Sequence, residues 1–155
     1  MKAVVQRVKN ASVTADGKLA GKISRGLLVY AGVSVNDSET DAVWLAEKVV
    51  NLRIFPDENG KMNLSVKDII TAGLEAKILA VSQFTLLGDC VKGRRPYYGE
   101  AAEPEKAAPL YEFFMEKIRE NGIVCEAGIF RTHMQVESIN DGPVTIILDS
   151  KAKES

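Results

Sequence analysis

The chain has 155 residues, 46% hydrophobic and 26% charged, with a formal net charge of −1 at pH 7. That length suits one domain with a sizeable core, and the composition excludes a disordered chain. The near-neutral balance supplies no global positive field, so any contact with nucleic acid would need a local basic patch.

Taken in chain order, A-V-V-Q-R-V (3–8) and S-V-T-A (12–15) alternate as strands, and Asp16-Gly17 before K-L-A-G-K-I (18–23) is a hairpin signal. G-L-L-V-Y-A-G-V (26–33) is continuous enough for a strand buried on both faces. Residues 37–52 switch period: Ser38 and Asp41 resemble a capping box, acids load the first turn, and Leu45, Val49 and Leu52 share one helical face. A short strand and turn follow at 53–62, then a long strand over 75–86. From 87 to 103 periodicity disappears, and a loop of that length inside a compact domain is usually functional or disordered. Leu110, Phe114 and Ile118 mark a second helix, closed by Gly122, with Pro109 either starting or kinking it. Strands over 132–138 and 143–150 precede a charged tail, K-A-K-E-S (151–155). Many strands and two separated helices, without regular βαβ alternation, predict an α+β or barrel-like β fold with the helices outside, in a single domain over 1–150.

No stretch is long enough to span a membrane: the run 27–33 is far short of about 18 residues. The N-terminus meets a charge after three apolar residues, so no signal-peptide core is expected and the protein is placed in the cytoplasm. Cys90 and Cys125 form no C-x-x-C pair and lack an activating base, which predicts core filler rather than a disulfide, a metal site or a nucleophile.

Catalytic groups are few. His133 is the one histidine, and a lone strand histidine is more often a packing or surface residue than a catalytic base. Ser82, Gln83 and Thr85 crowd hydrogen-bonding groups at a strand end, where sites tend to be built and where Ser and Thr also simply satisfy loop backbone. K-G-R-R-P-Y-Y (92–98) sets Lys92, Arg94 and Arg95 beside two tyrosines. That is the local patch the charge balance requires, suited to phosphates by charge and to bases by stacking.

Together, S-Q-F-T-L (82–86), K-G-R-R-P (92–96), N-D-G-P-V-T-I-x-L-D-S (140–150) and the opening K-A-V-V-Q-R-V resemble the D-aminoacyl-tRNA deacylases over nearly the whole chain. The resemblance implies a homodimer that acts on the aminoacylated 3′ end of tRNA, with no cofactor and no metal, and with its two sites at the subunit interface. It implies a cis Gly142-Pro143 peptide that enters the partner's site and turns two backbone carbonyls toward the substrate's α-ammonium. L side chains would be rejected there, while glycine, notably glycine mischarged on tRNA(Ala), would not. Ser82, Gln83, Phe84 and Thr85 would line the catalytic pocket, with the Phe84 N–H a donor to the oxyanion. Arg7 would brace the Gly-Pro corner, and Phe130 and Met134 would lie near the adenine and the pocket entrance. Thr85 as a covalent nucleophile is the competing mechanism, but it needs an activating partner that the sequence does not offer. One departure from the family pattern is F-R-T-H-M (130–134), where Arg131 and Thr132 replace two small residues. A non-catalytic nucleic-acid-binding module using the 92–98 loop is the alternative reading.

Overall fold

The computed structural model describes residues 1–154, so Ser155 of the expected tail lies outside the described residues. β1 (Lys2–Ala15) runs through both of the first two expected strands. It turns at Asp16 and Gly17, both at positive φ, into β2 (Lys18–Ile23). β3 (Gly26–Gly32) leads to α1 (Glu39–Asn51), then to a small hairpin of β4 (Phe55–Pro56) and β5 (Met62–Leu64). The short α2 (Val66–Thr71) follows, not anticipated, then β6 (Lys77–Ser82). α3 (Pro104–Glu120), β7 (Cys125–Ala127) and β8 (Met134–Asp149) complete the fold.

Apart from the β4-β5 hairpin, the strands make one sheet in the order β2-β1-β3-β6-β7, with β8 along the other side of β1. The expected α+β, barrel-like architecture with two main helices outside is the observed one. β3, β6 and β7 are nevertheless parallel, joined by crossovers through α1 and α3, while β1, β2 and β8 are antiparallel. Curling brings β2 back onto β6 and β7. A Cβ added at Gly21 would lie 2.9 Å from the Ala127 carbonyl oxygen and 3.0 Å from Leu79 Cδ1, so only glycine permits that closure.

β3 and β6 are buried on both faces and separate two cores. On the helix side, Leu27, Val29, Ile78 and Ala80 meet Leu45 and Val49 of α1 and Phe114 and Ile118 of α3. Full burial of one such large side chain contributes roughly 1.5–3 kcal/mol. On the inner side, Leu28, Leu79 and Val81 meet Val8, Val13 and Ile23. β1 serves both cores by changing face: Ala3 and Val5 point to the helices, whereas Val8, Ala11 and Val13 point inward. The change coincides with its register shifts against β8 between Gln6 and Val8 and between Val8 and Asn10, because a one-residue slip sends every later side chain to the opposite face.

The first of those shifts explains the proline. Gln6 pairs with Thr145 and Val8 with Asn140, so Arg7 alone faces residues 141–144. The two expected C-terminal strands are therefore one strand interrupted by a wide bulge. Pro143 stands where no ladder bond is asked of its nitrogen. Arg7 Nε donates to the Asp141 carbonyl at 3.2 Å, its Nη1 donates to the Ile54 carbonyl, and Asn140 Nδ2 donates to the carbonyls of Arg7 and Val144 at 3.0 and 3.1 Å. The expectation of a cis Gly142-Pro143 bond is corrected here: no peptide bond of the described chain is cis. The reversal is carried instead by Gly142 at φ +116, and trans is the lower-energy isomer of an X-Pro bond by about 0.5–1 kcal/mol.

Among the described residues no helix is long and apolar enough to cross a membrane. Of the cysteines, Cys125 is buried as expected, but Cys90 is exposed on the loop after β6, which removes it from the core. Burial pushes the Cys125 thiol up to about 12.

Candidate active site

The carboxyl ends of the parallel strands β3 and β6 open toward the first turns of α3. Crevices outside the carboxyl ends of parallel strands are where open α/β sheets bind ligands. Here the crevice is a cavity of about 530 Å³, within the range of small-molecule sites. Its floor is apolar, from Ala31 of β3, Val33 just after it, Val81 of β6 and Ala107 of α3. Ser82, Gln83 and Phe84 form one wall, Phe130 through Met134 another, and Tyr98 and Glu103 the rim.

The S-Q-F-T stretch sits at a strand end as expected, but that strand ends earlier than the 75–86 run predicts. β6 stops at Ser82, and Phe84–Leu87 coil into a 3₁₀ turn. The Gln83 N–H donates to the Ala31 carbonyl at 2.8 Å, which pins the start of the turn to β3. The first N–H groups of any helical turn have no carbonyl behind them to bond. Phe84 opens this one at the cavity wall, so its N–H is available to an oxygen in the cavity. The Phe84 ring is 58% exposed and meets Tyr98 edge-on, with centroids 5.2 Å apart. Thr85 does not line the cavity, and its hydroxyl accepts from the Gln83 side-chain amide. No imidazole, carboxylate or amine of the described residues hydrogen-bonds it.

Of the residues expected near the adenine, Phe130 and Met134 both line the cavity. Arg131, Thr132 and His133 line it too, placing the histidine at the site after all. The turn is tied by Thr132 Oγ1, which donates to the Ile129 carbonyl at 2.8 Å, and by the Asp16 N–H, which donates to the His133 carbonyl at 3.2 Å. The His133 imidazole has no carboxylate to orient it among the described residues.

The remaining expected residues lie outside the cavity. Arg7, Gly142 and Pro143 form the bulge on the opposite half of the sheet, the last two exposed. Lys92, Arg94 and Arg95 are exposed on the 89–97 loop, whose ends are bridged by Asp89 and Tyr97 exchanging backbone bonds at 2.8 and 2.9 Å.

Tyr111 was missed. It sits on α3 among residues read as core, 4% exposed, with its ring 6.1 Å from Phe130 and its face on the cavity. Its hydroxyl has no hydrogen-bond partner among the described residues, and burial raises its pKa, keeping it a protonated donor. Among the described residues no group of three or more His, Cys, Asp or Glu is placed to hold a metal.

Comparison with known proteins gives the cavity a context. A family model described as D-Tyr-tRNA(Tyr) deacylase matches residues 4–149. The D-aminoacyl-tRNA deacylase of Thermotoga petrophila is 57% identical over 150 residues, covering 97% of each chain. That of Geobacter sulfurreducens is 54% identical over 155 residues, covering 100% of this chain and 99% of its own. Among solved structures, c-Myc DNA Unwinding Element Binding Protein superposes with a TM-score of 0.87 at 41% identity, covering 96% of this chain and 98% of its own. A match over almost every residue, at more than half identity and with the same sheet and helices, makes this chain a member of the D-Tyr-tRNA(Tyr) deacylase family.

Proposed function

We propose that the chain hydrolyses the ester joining a D-amino acid to the 3′-terminal ribose of tRNA, releasing free D-amino acid and tRNA with its hydroxyl restored. The observation that carries this is the cavity itself: an apolar pocket whose Ser82–Phe84 wall offers an unpaired N–H, with no oriented nucleophile or base around it. Such a site positions an ester and stabilises the oxyanion of a tetrahedral intermediate. Water attacks the ester carbonyl, the Phe84 N–H receives the developing charge, and the intermediate expels the ribose oxygen with a proton. The neighbouring 2′-hydroxyl of the substrate orients the water, which is why the protein needs no base of its own. Thr85 takes no covalent role, since its hydroxyl is engaged by Gln83.

Chirality is read by a second copy of the chain, whose exposed Gly142-Pro143 corner enters the cavity and leaves no room for an L side chain. Support comes from the corner's place on its own chain, away from its own cavity and braced by Arg7 and Asn140. β8 also exposes two large apolar residues, Ile139 and Ile147, at 53% and 78%, which a second copy would cover. Backbone recognition ignores the side chain, so many D-amino acids and glycine are substrates. Lys92, Arg94 and Arg95 contact the tRNA backbone.

A second reading, a nucleic-acid-binding protein without catalysis, draws on the DNA-binding name of the 41% identical structure. Incubation with D-tyrosyl-, L-tyrosyl- and glycyl-tRNA separates the two. Release of amino acid from the D and glycyl esters, with the L ester intact, is the expected result. Retention of all three esters would favour the binder.

A further inference from the structure

Two described non-glycine residues have positive φ, Asp16 at +50 and Arg131 at +62. Asp16 is accounted for by its two-residue hairpin, which demands that conformation. Arg131 is not. Left-handed backbone is unfavourable for an ordinary residue and tends to persist where a site needs it. The turn that holds it is tied by Thr132 to Ile129 and by His133 to Asp16, so the arginine is presented in a set direction, not carried on loose chain.

Arg131 lines the cavity beside Phe130 and His133. Neither the Arg131 guanidinium nor the His133 imidazole has a hydrogen bond or ion pair among the described residues, whereas Arg7, Arg53 and Arg119 are all bonded. The one carboxylate lining the same cavity is Glu103, on the rim. An unpaired fork of N–H donors at the mouth of an apolar, aromatic-lined pocket matches a ligand that is flat and apolar at one end and anionic at the other. Guanidinium suits a phosphate through paired N–H···O bonds, which an ammonium cannot reproduce.

We infer that Arg131 binds the 5′-phosphate of the tRNA's terminal nucleotide, with its base and ribose in the cavity. The inference rests on the deacylase reading for the identity of the nucleotide. It goes beyond that reading by adding an anion contact that the deacylase reading does not assign.

Adenosine and adenosine 5′-monophosphate serve as probes, titrated calorimetrically against the wild type, Arg131→Gly and Arg131→Lys. The wild type is expected to favour the monophosphate by about tenfold at low salt, as one charge-assisted contact supplies. The preference should weaken as salt rises. Arg131→Gly should abolish it, and Arg131→Lys should keep part of it. Glycine is at home at φ +62, and a melting curve checks that this variant stays folded.

No preference in the wild type, no binding of either probe, or a preference intact in Arg131→Gly would each overturn the inference. So would a monophosphate preference intact in Arg131→Gly together with a changed ratio of D-aspartyl- to D-tyrosyl-tRNA hydrolysis, which would make Arg131 a reader of the amino-acid side chain. Because the titrations need no turnover, a monophosphate preference in a protein that leaves D-aminoacyl-tRNA intact would sink the deacylase reading and keep the anion contact.

Discussion

Gly142 combines two constraints that act on a single atom. Its φ of +116 is unfavourable for any L side chain, and an added Cβ would press on the Arg7 guanidinium. Arg7 cannot easily move aside, because it is bonded to the Asp141 and Ile54 carbonyls and paired with the Asp141 carboxylate at 3.4 Å. Gly142→Ala should therefore lower unfolding free energy by about 1–3 kcal/mol in urea denaturation, the range for a residue held in a sparsely populated region. In an Arg7→Ala background the same change should cost less, since only the backbone part remains and contacting residues are not additive. Equal losses in the two backgrounds would show that the guanidinium contact plays no part. At this scale motifs were informative: Ser82, Gln83, Phe84, Phe130 and Met134 all reach the cavity. Tyr111 was invisible because its role depends on which face of α3 meets Phe130, and spacing along the chain says only that the face is apolar.

Helices and strands were legible where one period held and one partner sufficed. α1 and α3 appear where Leu45 and Val49, and Leu110, Phe114 and Ile118, predict them. The 75–86 run failed at Ser82 because a continuous apolar stretch looks the same whether it ends as a strand or as a 3₁₀ turn. α2 carried a readable signal that was not used: Ser65 and Asp68 form a capping box, with the Ser65 N–H donating to the Asp68 carboxylate at 2.8 Å and the Asp68 N–H donating to Ser65 Oγ at 3.2 Å. Pro109 is answered as well. α3 begins at Pro104, where a missing N–H costs nothing, so Pro109 lies inside the helix, exposed, and removes the bond to the Glu105 carbonyl. Pro109→Ala should restore that bond and raise stability by about 1–3 kcal/mol in chemical denaturation. A neutral or negative change would mean that the helix relies on the proline's fixed φ more than on the missing hydrogen bond.

Across the whole molecule, the ends of the chain are joined through α1. Asp41, 3% exposed, accepts from Ser150 Oγ at 2.7 Å and from Lys151 Nζ at 3.0 Å, and it caps its own helix by accepting from the Ser38 N–H at 2.9 Å. The Met1 ammonium lies 2.5 Å from Ser150 Oγ and 2.7 Å from Asp37. Helix, first strand and last strand thus converge on two buried carboxylates. Such a junction is absent from any local pattern because its members are 109 and 149 residues apart. Burial alone would raise the Asp41 pKa, but the bonds from Ser150, Lys151 and Ser38 outweigh it and hold the carboxyl well below the usual carboxylate range. A carboxyl with a depressed folded-state pKa stabilises the fold above its unfolded pKa of about 3.9, and that contribution fades as pH falls toward the folded value. Asp41→Asn should cost about 1.5–3 kcal/mol at pH 7, the worth of hydrogen bonds to a charged group. The gap between variant and wild type should narrow steadily from about pH 5 downward, because the wild type alone loses the contribution. Denaturation midpoints at a series of pH values read this directly. A gap that is constant from pH 7 to 3 would mean that the Asp41 charge contributes nothing to holding the two ends of the chain on α1.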